Sequence, residues 1–274
     1  MSNTHPKVSI IMGIYNCSST LKESIESLIV QTYTNWELIM CDDGSTDKTY
    51  SIAKSYENKF NNIKVLKNNK NYGLAFTLNR CIKVAKGKYI ARQDGDDRST
   101  PTRLEKEVKL LDSWSKYDIV STSMAFFDEN GYWGKVISKE MPQPNDLIQQ
   151  TPFCHAPCMI RKKALLDVKG YQDSRKLLRV EDYDLMFRLY ANGSRGFNIQ
   201  EVLYEVRDDR QAIKRRKFTL RINEAYTRFS GYKRLKLPLR SYIYVLRPII
   251  IGLLPRYFYK QIRRKIYRNV KIRA

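Results

Sequence analysis

Three carboxylates stand within four residues at Asp94-Gly95-Asp96-Asp97, separated only by Arg92-Gln93 from the short apolar run Tyr89-Ile90-Ala91. Like charges this close repel one another, and such a cluster persists where a divalent cation or a cationic group sits among them. A second acidic turn, Asp42-Asp43-Gly44-Ser45-Thr46-Asp47, closes the run Glu37-Leu38-Ile39-Met40-Cys41, and a third acidic pair, Glu181-Asp182, opens a segment with Leu185, Met186, Leu189 and Tyr190 at helical spacing. Each has a plainer reading: a solvated turn at 94–97, a capped turn at 42–43, a helix cap at Asp182. His155 suits a binding site or a packed core equally. Cys154-His155-Ala156-Pro157-Cys158 carries half of a zinc spacing, with no second pair after it. The five cysteines, odd in number, suit a reducing compartment.

The elements that must hold these groups alternate. Val8 to Ile14 is a nearly continuous apolar run, as expected of a strand covered on both faces. A helix follows, with Thr20 and Glu23 spaced as a capping box and Leu21, Ile25, Leu28 and Ile29 on one face. Strands are expected at 37–41, 63–66 and 88–92. A helix between the last two carries Leu74, Leu78, Cys81, Ile82 and Ala85 inward, with Gly87 as its left-handed stop. Both acidic turns then fall at the carboxyl ends of strands, where open α/β sheets bind ligands. Ser99-Thr100-Pro101 opens a further helix with Leu104, Val108 and Leu111 inward. An antiparallel hairpin, 118–127 and 132–138, turns at Asp128-Glu129-Asn130-Gly131. Pro152 and Pro157 limit 153–160 to an edge strand or loop. A helix opening at 181 is closed by Asn192-Gly193, and 197–206 is the last strand. The expected fold class is α/β, a Rossmann-like, mostly parallel sheet with helices on both faces. No G-x-G-x-x-G and no G-x-x-x-x-G-K-[ST] occurs, which excludes dinucleotide dehydrogenases and P-loop enzymes of the usual kind.

The net charge of +22 is not spread evenly: residues 207–274 hold 21 of the 50 Lys and Arg but only Asp208, Asp209 and Glu224 of the 28 acidic residues. The expectation is a near-neutral domain, 1–206, followed by a basic helical tail, 207–274. Within the tail, Tyr242 to Leu254 is apolar but, at 13 residues, short of the roughly 20 a spanning helix needs. Beyond Pro255 an ideal helix puts Phe258, Tyr259, Ile262 and Ile266 opposite Lys260, Arg263, Arg264 and Arg268, the pattern of a helix lying on an anionic membrane. The alternative is a basic hairpin that packs on the domain or mediates oligomers. Lys7 precedes only a seven-residue apolar run, so no secretory signal is expected and the expected location is cytoplasmic, peripheral on the inner membrane face.

Taken together, these residues resemble the family 2 glycosyltransferases of the GT-A fold, over roughly residues 7–206. Val8 to Asn16 is similar to that family's opening strand, and Gln31-Thr32 with Asp42 to Asp47 to its second signature. Asn71, Gly73 and Asn79 are similar to its N-x-G segment, Asp94-Gly95-Asp96-Asp97 to its D-x-D motif, and Glu181-Asp182 to the acidic pair that supplies the base. The resemblance implies an inverting, metal-dependent transfer of one sugar from a nucleotide-sugar donor, a UDP-sugar above all, to a saccharide or lipid-linked acceptor in surface polysaccharide synthesis. It implies Tyr15 stacking near the donor base, Asp42 or Asp43 accepting from the uracil imide, and Asn16, Asn71, Gly73, Asn79 and Gly95 around the donor. Asp94 would contact ribose or sugar, Asp96 would hold Mg²⁺ or Mn²⁺, and Asp97 would belong to the metal shell or the structure about it. Asp182 would be the general base, Glu181 its neighbour, and His155 would lie on the acceptor side. Two departures stand out. Leu78 occupies a place where many relatives carry an arginine, with Arg80 and Arg92 the nearby substitutes, and the Q-x-x-R-W of processive members is missing. Competing functions are a sugar nucleotidyltransferase, which lacks here its glycine-rich basic loop after the first strand, and a nucleic-acid binder acting through the tail, which the near-neutral first 206 residues disfavour.

Overall fold

The computed structural model describes residues 6–208 and 218–253. Three β-α units and a fourth strand come first: β1 (Val8–Ile14), α1 (Leu21–Ile29), β2 (Trp36–Asp42), α2 (Thr49–Glu57), β3 (Ile63–Lys67), α3 (Leu74–Val84) and β4 (Tyr89–Arg92). Short β5 (Arg98–Ser99) and α4 (Arg103–Ser113) lead to the hairpin β6 (Ile119–Asp128) and β7 (Gly131–Val136). β8 (Met159–Arg161), α5 (Lys162–Asp167), α6 (Glu181–Ala191), β9 (Gly196–Arg207), α7 (Thr219–Arg234) and α8 (Arg247–Leu253) follow.

All nine strands join one sheet, in the order β3-β2-β1-β4-β8-β6-β9-β5 with β7 beside β6. β1 pairs in parallel with both β2 and β4, so the chain runs outward through β2 and β3 and then returns to the other side of β1. The sheet is mostly parallel, with β5, β7 and β8 reversed. Alternation along β1 divides the core in two. Val8, Ile10, Met12 and Ile14 face α1, α2 and α4, while Ile11 faces α3 and α6 with Leu78, Cys81, Leu185, Met186 and Leu189. Burying apolar side chains on both faces is what the unbroken hydrophobic runs of β1 and β2 require. Cys41, Cys81, Cys154 and Cys158 are buried thiols and Cys17 is half-buried, all of them free.

Four expectations are corrected. β8 is not an edge strand: it lies between β4 and β6, because Pro152 and Pro157 precede its three residues and deprive it of no ladder hydrogen bond. Thr20 and Glu23 form no capping box. The Thr20 hydroxyl donates to the Gly95 carbonyl (3.0 Å), and Glu23 pairs with Arg98 (2.8 Å) and Arg207, so both residues brace the acidic turn instead. Gly87 is no left-handed stop, since α3 ends in extended Ala85. It is a close approach, where a Cβ would meet the Ser9 nitrogen at 2.5 Å.

The fourth concerns the tail. α7 packs on α6, with Tyr232 and Leu237 in the core and the Tyr232 ring edge-on to Phe187 at 5.9 Å. Buried Arg228 donates to the carbonyls of Ile148 (2.6 Å) and Gln149 (2.8 Å), so α7 is packed into the domain rather than trailing from it. No helix among the described residues is long and apolar enough to cross a membrane. The expected amphipathic helix at 258–268 lies outside the described residues.

Candidate active site

The strand order reverses between β1 and β4, and a crevice opens at their carboxyl ends, as expected at the switch point of such a sheet. It encloses about 360 Å³, within the size range of small-ligand pockets. Gly13, Ile14, Tyr15 and Cys17 line it from the end of β1, Asp43 from β2, Asn71, Gly73, Leu74 and Thr77 from the start of α3, and Asp94, Gly95 and Asp96 from the end of β4. Leu178, Arg179 and Glu181 close it from the second half of the chain. Of the residues singled out in the sequence, Tyr15, Asp43, Asn71, Gly73, Asp94, Gly95, Asp96 and Glu181 thus converge on one space.

Each carboxylate is held differently. Asp43 accepts from the backbone N–H groups of Tyr72 (2.9 Å) and Gly73 (2.8 Å) and from the Asn68 amide (2.6 Å), which pins the 71–73 loop to β2. Gly73 takes φ +97° with open space where a side chain would stand, so the loop turns into α3 without obstructing the cleft. Asp42 is fully buried below; its Oδ2 accepts from Ser45 N–H at 3.3 Å and its Oδ1 has no partner. Asp94 is gripped by Arg92 through two hydrogen bonds of 2.6 and 3.0 Å. No neighbouring described residue hydrogen-bonds the Asp96 side chain. Burial, and then the Asp94 charge beside it, push its carboxyl up to about 6.

Glu181 and Asp182 are the first two residues of α6; Glu181 lines the crevice while Asp182, next to it, is not among the lining residues, and the cap position before them is Val180, so Asp182 is not the cap of this helix. Its Oδ1 accepts from Tyr183 N–H at 2.8 Å. Burial, and then the neighbouring Glu181, raise its carboxyl to about 6. Glu181 lines the crevice, and its buried Oε2 has no hydrogen-bond partner among the described residues.

Other expected contacts fall elsewhere. Asp97 is buried as a strut: Arg207 N–H donates to its Oδ1 (2.8 Å) and the Tyr204 hydroxyl bonds it, so its role is to tie β9 to the acidic turn. Asn79 lies outside the cleft and bridges the Tyr171 backbone, donating to its carbonyl (2.7 Å) and accepting from its N–H (2.9 Å). Asn16 accepts from Thr46 N–H (2.9 Å) and fixes the turn beside Tyr15. His155 bonds the Tyr171 hydroxyl (2.8 Å), and burial with Arg92 nearby holds it well below its ordinary pKa, hence neutral. That is the packed-histidine reading. Sequence reasoning missed Gln93, whose buried amide ties Ser24, the Asp97 carbonyl and Ser99, because a glutamine at a strand end carries no pattern of its own.

Three comparisons bear on this geometry. The family model described as glycosyl transferase family 2 matches residues 9–174. A Bacillus subtilis protein named "Putative glycosyltransferase EpsE" is 48% identical over 270 residues, 98% of this chain and 97% of that protein. The Escherichia coli "UDP-Glc:alpha-D-GlcNAc-diphosphoundecaprenol beta-1,3-glucosyltransferase WfaP" is 31% identical over 73% of this chain and 77% of its own. Among solved structures, S. aureus TarS 1-349 in complex with UDP superposes with a TM-score of 0.64 at 21% identity, over 90% of this chain and 81% of that one, a likeness of fold.

Proposed function

The chain belongs to glycosyl transferase family 2 and is a glycosyltransferase, and from that premise we propose that it transfers one sugar, with inversion, from a UDP-sugar to a saccharide carried on a lipid diphosphate in surface polysaccharide synthesis. The observation that carries this is the convergence of acidic groups from the ends of β2 and β4 and the start of α6 on one crevice at the switch point.

In this reading the exposed Tyr15 ring is the face on which the base stacks, and the unpartnered Asp42 Oδ1 is the acceptor for its imide N–H. Asp43 positions the loop that carries Asn71 and Gly73 beside the ribose. The residues at the end of β4 fit a divalent ion. Asp96 is a carboxylate that no neighbouring described residue hydrogen-bonds and whose charge is disfavoured by burial and by Asp94, the condition a cation relieves. Among the described residues no three His, Cys, Asp or Glu cluster tightly enough to cage a metal. Two carboxylates, Asp96 and Asp94, completed by phosphate oxygens and water, are the kind of site Mg²⁺ or Mn²⁺ takes. Such an ion, when bound, offsets the negative charge that builds on a departing nucleoside diphosphate. Asp182, raised toward neutral pH, takes the proton of the attacking acceptor hydroxyl from the opposite wall. Displacement between two walls inverts the anomeric centre.

The lipid-linked acceptor agrees with the surface. Ile222, Tyr226 and Phe229 along α7, with Leu239, Ile243, Leu246, Ile250 and Leu253 after it, are exposed apolar side chains, and no acidic residue occurs from Ala225 to Ala274. An apolar, purely basic surface suits an anionic bilayer. The test of the reaction is a panel of UDP-, GDP- and dTDP-sugars with a sugar-diphosphate-lipid acceptor, scored by nucleoside diphosphate release; turnover with a non-UDP donor alone would replace the uracil assignment.

A further inference from the structure

A nucleotide-sugar diphosphate entering this cleft meets Asp43, Asp94, Asp96 and Glu181, so its own negative charge must be met by more than one cation. Neither substitute expected for the arginine missing at Leu78 can serve. Arg80 donates to the Lys67 carbonyl (2.8 Å) and to Asn68 on the outer side of α3, and buried Arg92 is committed to Asp94. Leu78 itself is core.

Among the described residues lining the cleft, one is cationic: Arg179. Its side chain is exposed and has no hydrogen-bond or ion-pair partner among the described residues. Its backbone is unusual. Leu177 to Val180 form a turn closed by Val180 N–H to the Leu177 carbonyl at 3.0 Å, with Leu178 at φ −56°, ψ 123° and Arg179 at φ +68°. That is a type II turn with arginine in the third place, where glycine is favoured because a Cβ is disfavoured at positive φ. An L-residue kept at such a position in a binding cleft is strain retained for its side chain. The turn is also anchored from outside: the α7 residue Asn223 donates to the carbonyls of Arg175 (3.2 Å) and Leu178 (3.3 Å).

We infer that Arg179 is the diphosphate contact of this enzyme, its guanidinium completing, from the wall opposite Asp96, the neutralisation of a diphosphate group. This rests on the nucleoside-diphosphate donor proposed above. The backbone supplies an internal control, because Arg179→Gly removes the cation and relieves the turn together, whereas Arg179→Gln removes the charge and keeps the strain, and Arg179→Lys keeps both.

The experiment is calorimetric titration of the full chain with UDP and with uridine in Mn²⁺, and separately with farnesyl diphosphate, alongside thermal unfolding. Arg179→Gly is expected to unfold at the same or a higher temperature than the parent. Arg179→Gly and Arg179→Gln should bind UDP roughly tenfold to a hundredfold more weakly, the range for losing hydrogen bonds to a charged group, with uridine affinity unchanged. Arg179→Lys should keep most of the affinity. If UDP binding is unaltered but farnesyl diphosphate binding falls, the diphosphate served is the acceptor's. If both are unaltered, Arg179 is not a diphosphate contact and the inference is overturned. A parent protein that binds GDP or dTDP but not UDP would overturn the uracil assignment instead, and the same variants are then compared with that nucleotide.

Discussion

At the scale of single residues, burial opposes the ionisation of Asp96 and Asp182, the two carboxylates proposed above as metal ligand and base. Asp182→Asn keeps nearly the same volume and an oxygen for Tyr183 N–H, so the fold should survive while turnover falls by roughly a hundredfold to ten-thousandfold. Because the folded carboxyl is raised from 3.8 to about 6, ionising it opposes folding: that penalty is absent below about pH 4 and complete above about pH 6. The variant lacks the group, so its stability relative to the parent should improve as pH rises from 4 to 7, by on the order of 3 kcal/mol, measured by urea unfolding. Parent activity should in turn decline below about pH 6, where the base is protonated. An Asn variant that turns over normally would return Asp182 to a structural role. Asp96→Ala, or excess chelator, should reduce turnover by about two orders of magnitude or more, with the melting temperature of the variant at neutral pH no lower than the parent's. The residues that meet at the cleft were legible because acidic pairs at strand ends are conspicuous in type and spacing. Arg179 was not, since an exposed arginine becomes informative only when its backbone angle is known, and the hydrogen bonds of Asp97 to Arg207 and of Asn79 and His155 to Tyr171 were not, because sequence adjacency does not say which way a side chain is committed.

At the scale of elements, the parallel half was legible and the seams were not. Four apolar runs separated by helical periods dictate β1 to β4. The position of β8 depends instead on a three-residue pairing with β4 and β6, too short to leave a hydrophobic pattern. α7 was read as part of a tail because its basic residues dominate its composition, although its buried stripe Ala225, Arg228, Gly231 and Tyr232 has helical spacing. That stripe gives a prediction. A Cβ on Gly231 would stand 2.3 Å from the Phe187 ring, so Gly231→Ala should lift α7 from α6 and cost about 1–3 kcal/mol by thermal unfolding. Since Asn223 of α7 holds the turn before Glu181, the same change should also raise KM for the donor. Undiminished stability would show that α7 rests on the domain without supporting it.

At the scale of the whole molecule, a near-neutral catalytic body carries a one-signed surface at its carboxyl end. The intact protein should float with liposomes containing anionic lipid and much less with neutral ones, and deletion after Leu253, which spares α7 and α8, should weaken but not abolish flotation, because the apolar side chains of α7 and α8 remain. Equal flotation with both lipids would assign the basic residues some other partner. The sheet order also fixes a sequence of events before any of this begins. β4 ends at Arg92, and one of its two neighbours, β8, begins at Met159. At roughly 5–20 residues per second of synthesis, that edge waits several seconds, its N–H and C=O groups unpaired, while the first four strands are already long enough to assemble. An open strand edge is the template on which chains join one another. The reversed strand in the middle of the sheet therefore makes newly made chains most vulnerable to pairing with each other just after their parallel half has formed, and the risk ends when residue 161 emerges to close the edge.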